Sequence, residues 1–326
     1  MNILVTGAAG YIGSIVSEVL LARGMKVVAL DSLIEGHRAA VPPAAIFCHV
    51  DLADRPQLEA VFTQNKIDAV MHFAAEALVA KSMREPSTFY AANVACGINL
   101  LDAVTRHGIK KFVFSSTAAT YGEPDTVPIP EDHRKLPINP YGKSKLLFEQ
   151  VLADYRGYTG LQYATLRYFN AAGASAERGE AHRTETHLIP RVLDAAAGVI
   201  PAVDVLGTDY PTPDGTCVRD YVHVLDIADS HLRALENIHR VSGEAFNVGT
   251  GRGYSILELI NTAEQVTGKK IPRKPGPRRP GDPAFLIASK EKLKVLLDWE
   301  AKHSTLEEII STAWLWKTNH PRGYSG

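Results

Sequence analysis

The chain has 326 residues, 45% hydrophobic and 22% charged, with 35 Lys+Arg against 36 Asp+Glu and a formal net charge of −1. This composition excludes disordered, collagenous and fibrous classes, and the balanced charge argues against a nucleic-acid partner. At roughly 150 residues per domain the length suggests two domains, or one with an appended lobe.

The first half alternates short apolar runs with helical patterns. Ile3–Val5 reads as a buried strand, followed by Thr6-Gly7-Ala8-Ala9-Gly10-Tyr11-Ile12-Gly13 and a helix over Tyr11–Arg23 that Gly24 ends. Glycines at 7, 10 and 13 form a GxxGxxG loop between strand and helix. There they permit a tight turn, close approach to a pyrophosphate and close helix–strand packing, while the helix N-terminus offers free N–H groups to phosphate. The second strand, Val27–Leu30, runs into Asp31, a carboxylate suited to both ribose hydroxyls and hostile to a 2′-phosphate, so NAD is expected over NADP. Ile46–Val50 ends at Asp51, a candidate acceptor for the adenine amino group or simply a cap. A helix over Arg55–Gln64 follows the N-cap Asp54, and Ala69–Phe73 runs into Ala74-Ala75 at another ligand-binding strand end. A helix over Thr88–Arg106 after Ser87 and strands Phe112–Ser115 and Tyr163–Tyr168 complete the pattern. The fold class expected is α/β, a Rossmann-type doubly wound parallel sheet.

After Ala171 the texture changes. Ala174–Glu185 is polar and loop-like. Helical patterns recur at Leu188–Ala197, Ile227–Asn237, Ile256–Thr267, Glu291–Leu297 and Leu306–Lys317, with strand-like fragments at Val203–Leu206 and Ala245–Val248. Residues 1–173 are therefore expected to form a cofactor domain, joined by returning segments near 221–248, and residues 174–326 a smaller α/β substrate lobe. The basic stretch from Lys269 to Arg279 is read as mostly solvated loop.

Asn139-Pro140-Tyr141 opens a further helix, with Asn139 as cap and Pro140 in the first position. Tyr141 and Lys145 then share one face, four residues apart. A phenol with a pKa near 10 is a poor base at neutrality. A positive charge about 4 Å away, worth roughly 4 kcal/mol at an effective dielectric near 20, brings the phenolate much closer to neutral pH. Such a group suits proton removal from a sugar hydroxyl as hydride leaves for a nicotinamide. Strand-end hydroxyls at Ser115-Ser116-Thr117 offer a hydrogen bond to the same oxygen, Thr117 being the first choice and Ser116 the second.

Cys48, Cys96 and Cys217 are far apart without CxxC spacing, which argues against a disulfide framework and a structural zinc site, and no metal is expected. His72 and Glu76 interrupt the most apolar stretch, and no secretory leader is read at the N-terminus. A reduced, cytoplasmic chain without membrane contact is expected.

With the glycine loop, His72-Phe73-Ala74-Ala75, Phe114-Ser115-Ser116-Thr117, Tyr141-Gly142-Lys143-Ser144-Lys145, Arg167-Tyr168-Phe169-Asn170, Gly207-Thr208-Asp209-Tyr210, Val218-Arg219-Asp220-Tyr221-Val222-His223 and His320-Pro321-Arg322-Gly323-Tyr324, the sequence resembles the extended short-chain dehydrogenase/reductase family along essentially its whole length, in its sugar-nucleotide epimerase branch. The resemblance implies an NAD-dependent isomerase. It would place Gly7, Gly10, Tyr11, Ile12, Gly13, Asp31, Ser32, Asp51, Leu52, Phe73, Ala74, Ala75, Asn93, Ser115, Tyr141, Lys145 and Tyr168 at the cofactor. Thr117, Tyr141, Asn170, His187, Leu188, Val205, Arg219, Arg279, Asp282 and Leu286 would lie at a UDP-sugar. For the arginines there is a physical reason, since guanidinium forks match diphosphate oxygens.

The activity implied is reversible C4 epimerisation of UDP-glucose and UDP-galactose through a 4-keto sugar. The alternatives are a related epimerase of UDP-arabinose/xylose, UDP-glucuronate or UDP-N-acetylhexosamines, and a non-catalytic NAD-binding protein. A homodimer through Thr88–Arg106 and Tyr141–Tyr155 is the family expectation. Three positions depart from common relatives: Ala77 replaces a phosphate-contacting lysine, Leu286 stands at the sugar-pocket gate where others carry tyrosine, cysteine or serine, and Thr117 stands where many carry serine, the hydroxyl being kept. A nucleotide-sugar dehydratase is disfavoured because Ala118-Ala119 replace its Asp-Glu pair.

Overall fold

The computed structural model describes residues 1–279 and 282–324. Its centre is a seven-stranded, all-parallel sheet. The strands are β1 (Asn2–Thr6), β2 (Lys26–Asp31), β3 (Ile46–His49), β4 (Ala69–His72), β5 (Lys111–Thr117), β6 (Gln162–Tyr168) and β11 (Glu244–Val248), in the order β11-β6-β5-β4-β1-β2-β3. These strands are short apolar runs because both faces are covered. In β1, Ile3 and Val5 pack into one core and Leu4 into the other; in β5, Val113 joins the first and Phe112 and Phe114 the second.

Helices α1 (Tyr11–Ala22) and α8 (Val224–Glu236) cover one face through Val16, Leu20, Ile227 and Leu232. On the other lie α2 (Arg55–Gln64), α5 (Cys96–Arg106) and α6 (Pro140–Thr159), through Leu58, Leu100, Leu101, Phe148 and Leu152. The strand order reverses between β1 and β4, which opens a crevice at their carboxyl ends. The return of later segments to this sheet is observed: β11 pairs with β6, Glu244 opposite Ala164, and α8 packs on α1.

The helix expected over Thr88–Arg106 is three pieces. After the short α3 (Val79–Ser82), α4 (Pro86–Tyr90) starts earlier than expected because Pro86 takes its first position, so Ser87 lies inside the helix rather than capping it. A π-helical turn at Ala91–Ala95 then leads into α5. α8 also starts early, because the His223 imidazole, an unusual cap, accepts from Leu225 N at 3.1 Å.

The remaining elements are β7 (Asn170–Ala172), α7 (Leu188–Ala196), β8 (Val203–Leu206), β9 (Val218–Arg219), β10 (Tyr221–His223), β12 (Tyr254–Ser255), α9 (Ile256–Thr267), β13 (Arg273–Gly276), β14 (Phe285–Leu286), α10 (Glu291–Leu297) and α11 (Leu306–Asn319). They form three small sheets, β10-β7, β12-β9-β14 and β13-β8. A third core joins α7, α9 and α11 through Leu193, Leu259, Ile260, Ile309 and Ile310. α9 begins with a full capping box, Ser255 and Glu258 satisfying each other's backbone N–H. Among the described residues, no helix is long and apolar enough to cross a membrane.

Candidate active site

The crevice continues into a cavity of about 1350 Å³ between the carboxyl ends of the large sheet and the small sheets. The glycine loop forms one wall. Gly7 has a φ of +71°, and a Cβ on it would stand 2.6 Å from Ala74 N; a Cβ on Gly13 would stand 2.1 Å from Gly7 O. Only glycine fits either position. The N-cap of α1, Gly10, brings no side chain to the first-turn N–H groups, which leaves them for an anion. Tyr11 pins this loop across the cavity, its hydroxyl donating to Gly173 O at 2.6 Å.

Asp31 is buried at the cavity edge and accepts from Ala9 N at 2.9 Å and Leu33 N at 2.8 Å, one bond per carboxylate oxygen. Burial pushes its pKa up while the two N–H groups oppose that. Each oxygen keeps a free lone pair, as a ribose diol requires. Ser32, Leu52, Phe73, Ala74 and Ala75 line the same region. Asp51 also lines it, although its Oδ1 accepts from Ala53 N at 2.8 Å, which is the capping role. The residues present therefore fit a dinucleotide: a cradle without Cβ atoms, an open helix N-terminus and an acceptor pair at the second strand's end.

The expected reactive groups meet on the opposite wall. Asn139 caps α6 by accepting from Gly142 N at 2.8 Å, and this presents Tyr141 and Lys145 to the cavity. Lys145 donates from Nζ to Ser115 O at 2.9 Å and lies 4.9 Å from the Phe114 ring centroid. Burial brings its pKa down to about 7, with Glu149 opposing. In Tyr141, burial pushes the phenol up and the Thr117 hydroxyl acts against that. Tyr168, also on the wall, holds its hydroxyl 2.7 Å from His231 Nε2. His72, at the end of the central strand β4, is driven down to about 3 by burial and then by the Lys145 charge, and it pairs with Thr6 Oγ1 at 2.7 Å.

Ser116 is placed apart from Thr117. Successive strand residues point to opposite faces. Ser116 shares the Phe114 face and donates to Glu149 Oε1 at 2.6 Å, inside a buried pair in which Arg167 Nη2 meets Glu149 Oε2 at 2.6 Å. Its one proton is committed there, while the residue still lines the cavity and its oxygen keeps acceptor capacity. Two expected residues, Asn93 and Val205, are not in the cavity lining. Asn93, in the π-turn, bonds Glu76 N at 2.8 Å, Glu76 O at 3.0 Å and Ser144 Oγ at 2.9 Å. Val205 is buried in the third core, while its neighbours Asp204 and Leu206 line the cavity.

Toward the small sheets, Asn170, His187, Leu188, Arg219, Arg279, Asp282 and Leu286 all line the cavity. Arg219 donates to Pro283 O at 2.8 Å and pairs with Asp282, so both are held in place. Near Ala77, Lys81 is paired with Glu76 at 3.1 Å.

Glu180, His182 and Glu185 had no role in the sequence reading and stand beside His187 on the same wall. Burial lowers both imidazoles, but the two carboxylates outweigh it, ending at about 9 for His182 and about 10 for His187. The signal available was the spacing His182-x-x-Glu185-x-His187 inside an otherwise unpatterned loop.

Residues 3–249 match the NAD dependent epimerase/dehydratase family. The chain belongs to this family. It is 49% identical to a UDP-glucose 4-epimerase of Lacticaseibacillus casei, covering 99% of each chain. It superposes with a TM-score of 0.93 on a UDP-glucose 4-epimerase from Brucella ovis in complex with NAD, at 43% identity over 96% of this chain and 97% of that one. A UDP-glucose 4-epimerase from Bifidobacterium longum in complex with NAD+ and UDP gives 0.94, at 36% identity over 99% and 100%. NAD is the cofactor of the family, and the cradle of Gly7, Gly10 and Gly13 with Asp31 is where this member would hold it.

Proposed function

We propose that the chain interconverts UDP-glucose and UDP-galactose by epimerisation at C4. The observation that carries this reading is the convergence of Tyr141, Thr117 and Lys145 on the same cavity as the glycine loop at one end and Asn170, Leu188, Arg219 and Arg279 at the other. Residues 1–173 would hold the dinucleotide and residues 174–326 the UDP-sugar.

In this proposal Arg219 and Arg279 grip the diphosphate, and Asn170 and Leu188 frame the nucleotide. The Tyr141 phenolate takes the proton from the sugar O4, and the Thr117 hydroxyl hydrogen-bonds that oxygen throughout. Lys145, fixed by Ser115 O, would supply positive potential to the phenolate. Bound NAD supplies the hydride acceptor at C4 and then the donor. While UDP stays gripped, the 4-keto sugar turns over, and Tyr141 returns its proton to O4 of the other epimer. No net oxidation results, so the cofactor is not consumed.

We also propose a cytoplasmic homodimer through the faces of α4, α5 and α6, on which Tyr90 and Leu147 remain exposed. The test is incubation of the purified protein, without added NAD, with UDP-glucose, UDP-arabinose, UDP-glucuronate and UDP-N-acetylglucosamine in turn, read by chromatography. Appearance of UDP-galactose is the expected result. Turnover of another sugar alone would assign the chain to that substrate, and absence of turnover would leave a non-catalytic NAD-binding protein.

A further inference from the structure

We propose that Glu180, His182, Glu185 and His187 form a divalent-metal site, with Zn2+ the ion its donors and geometry suit. The four residues lie within one short segment leading into α7, and one donor atom from each falls within 4.8 Å of all the others. His182 Nδ1 stands 3.2 Å from Glu180 Oε1 and 3.4 Å from Glu185 Oε2. His187 Nδ1 stands 2.9 Å from Glu180 Oε1 and 2.8 Å from Glu185 Oε1. A tetrahedral zinc with bonds of about 2.0–2.1 Å separates its ligand atoms by roughly 3.3 Å. The measured contacts straddle that edge length.

A second observation points the same way. His182 Nδ1 is buried and makes no hydrogen bond, although two carboxylates face it at these distances. A buried polar atom without a partner is uncommon in a folded protein. An N–H can point at one carboxylate oxygen, whereas a central cation satisfies both imidazole lone pairs and both carboxylates together. The two glutamates carry the charge that a divalent ion neutralises. Two imidazole nitrogens favour zinc over magnesium or calcium, which prefer all-oxygen shells.

The position gives the ion something to hold. His187 is the N-cap of α7 yet bonds no first-turn N–H with its side chain. Gly179, just before the cluster, is tied to the C-terminal end through Tyr324, whose hydroxyl accepts from Gly179 N at 3.1 Å. A metal at Glu180–His187 would lock this segment in the wall of the cavity. Binding replaces any proton on either Nδ1, so loading releases protons. The site is independent of the epimerase reading, since metal content is measured without turnover.

The test uses the full-length protein, purified without a polyhistidine tag, stripped with a chelator, reloaded with Zn2+, desalted and analysed for metal by mass spectrometry. The expected result is a single equivalent of zinc in the wild type, lost in His182→Ala and in Glu180→Gln. Co2+ loading should give the strong visible bands of a four-coordinate site in the wild type alone. Zinc should also raise the melting temperature of the stripped wild type and leave His182→Ala unchanged. Circular dichroism and retained NAD establish that each variant is folded, and Glu180→Gln, which keeps the side-chain shape, serves if His182→Ala is not. Failure of the wild type to retain zinc, or equal retention by wild type and folded variants, would overturn the proposal and leave an ion-pair cluster of carboxylates and imidazolium groups.

Discussion

The Ser116 hydroxyl donates to Glu149 Oε1 at 2.6 Å, on the face of β5 turned away from Tyr141's partner Thr117. Two adjacent hydroxyls at one strand end therefore do different work. Ser116→Ala should cost about 2 kcal/mol of stability, the typical net worth of a hydrogen bond to a charged group, and change kcat little. Thr117→Val should cost about 1 kcal/mol, since the Thr117 hydroxyl also accepts from Ala119 N at 3.1 Å, and lower kcat by about tenfold or more, since a transition-state contact to O4 is lost. Denaturant melts and steady-state kinetics on both variants check this, and a larger kcat loss in Ser116→Ala would reverse the assignment.

Lys145 gives a pH dependence with a definite sign. Its amine titrates at about 7 in the fold against an ordinary value of 10.5. Between those values the unfolded chain binds the proton that the folded one lacks, so stability rises with pH across that window. The cost of burying the ammonium is complete below about pH 7 and fades as pH approaches the unfolded value. Lys145→Met should stabilise the cofactor-free fold near pH 6 by on the order of a few kcal/mol, and the gain should shrink toward pH 10. A gain independent of pH, read by denaturant melts across the range, would contradict this.

Leu286 lines the cavity, at what we propose is its sugar end, and packs beside Phe169 against Ala118, Tyr121 and Ile129. Shortening it should widen the pocket where an N-acetyl group would sit. Leu286→Ser is expected to raise kcat/KM for UDP-N-acetylglucosamine by about tenfold, a value in the range that a few methylenes of pocket shape control, with activity on UDP-glucose largely kept. Unchanged discrimination would remove Leu286 from the gate.

What the sequence made legible was local. The glycine loop follows a strand and opens a helix within a dozen residues, and Asn139-Pro140 starts the helix that carries Tyr141 and Lys145, so neither depends on distant contacts. What it hid depends on partners far along the chain or on backbone phase. The commitment of Ser116 is set by Glu149, a helix away, and by the pleat of β5. Asn93 left the cavity because a π-turn rotates it onto Glu76 and Ser144. Val205 is buried in the third core together with Val203, on the same face of β8. The Glu180–His187 cluster arises from a loop conformation that no periodic pattern announces.

The central claim is that the Tyr141 phenol moves the O4 proton. The most direct measurement is the epimerisation rate of Tyr141→Phe, with its NAD content and UDP affinity shown to match the wild type. The expected result is a fall in kcat of about 10²–10⁴, the usual contribution of a general acid–base group. Turnover close to the wild type with the same NAD content would contradict the account.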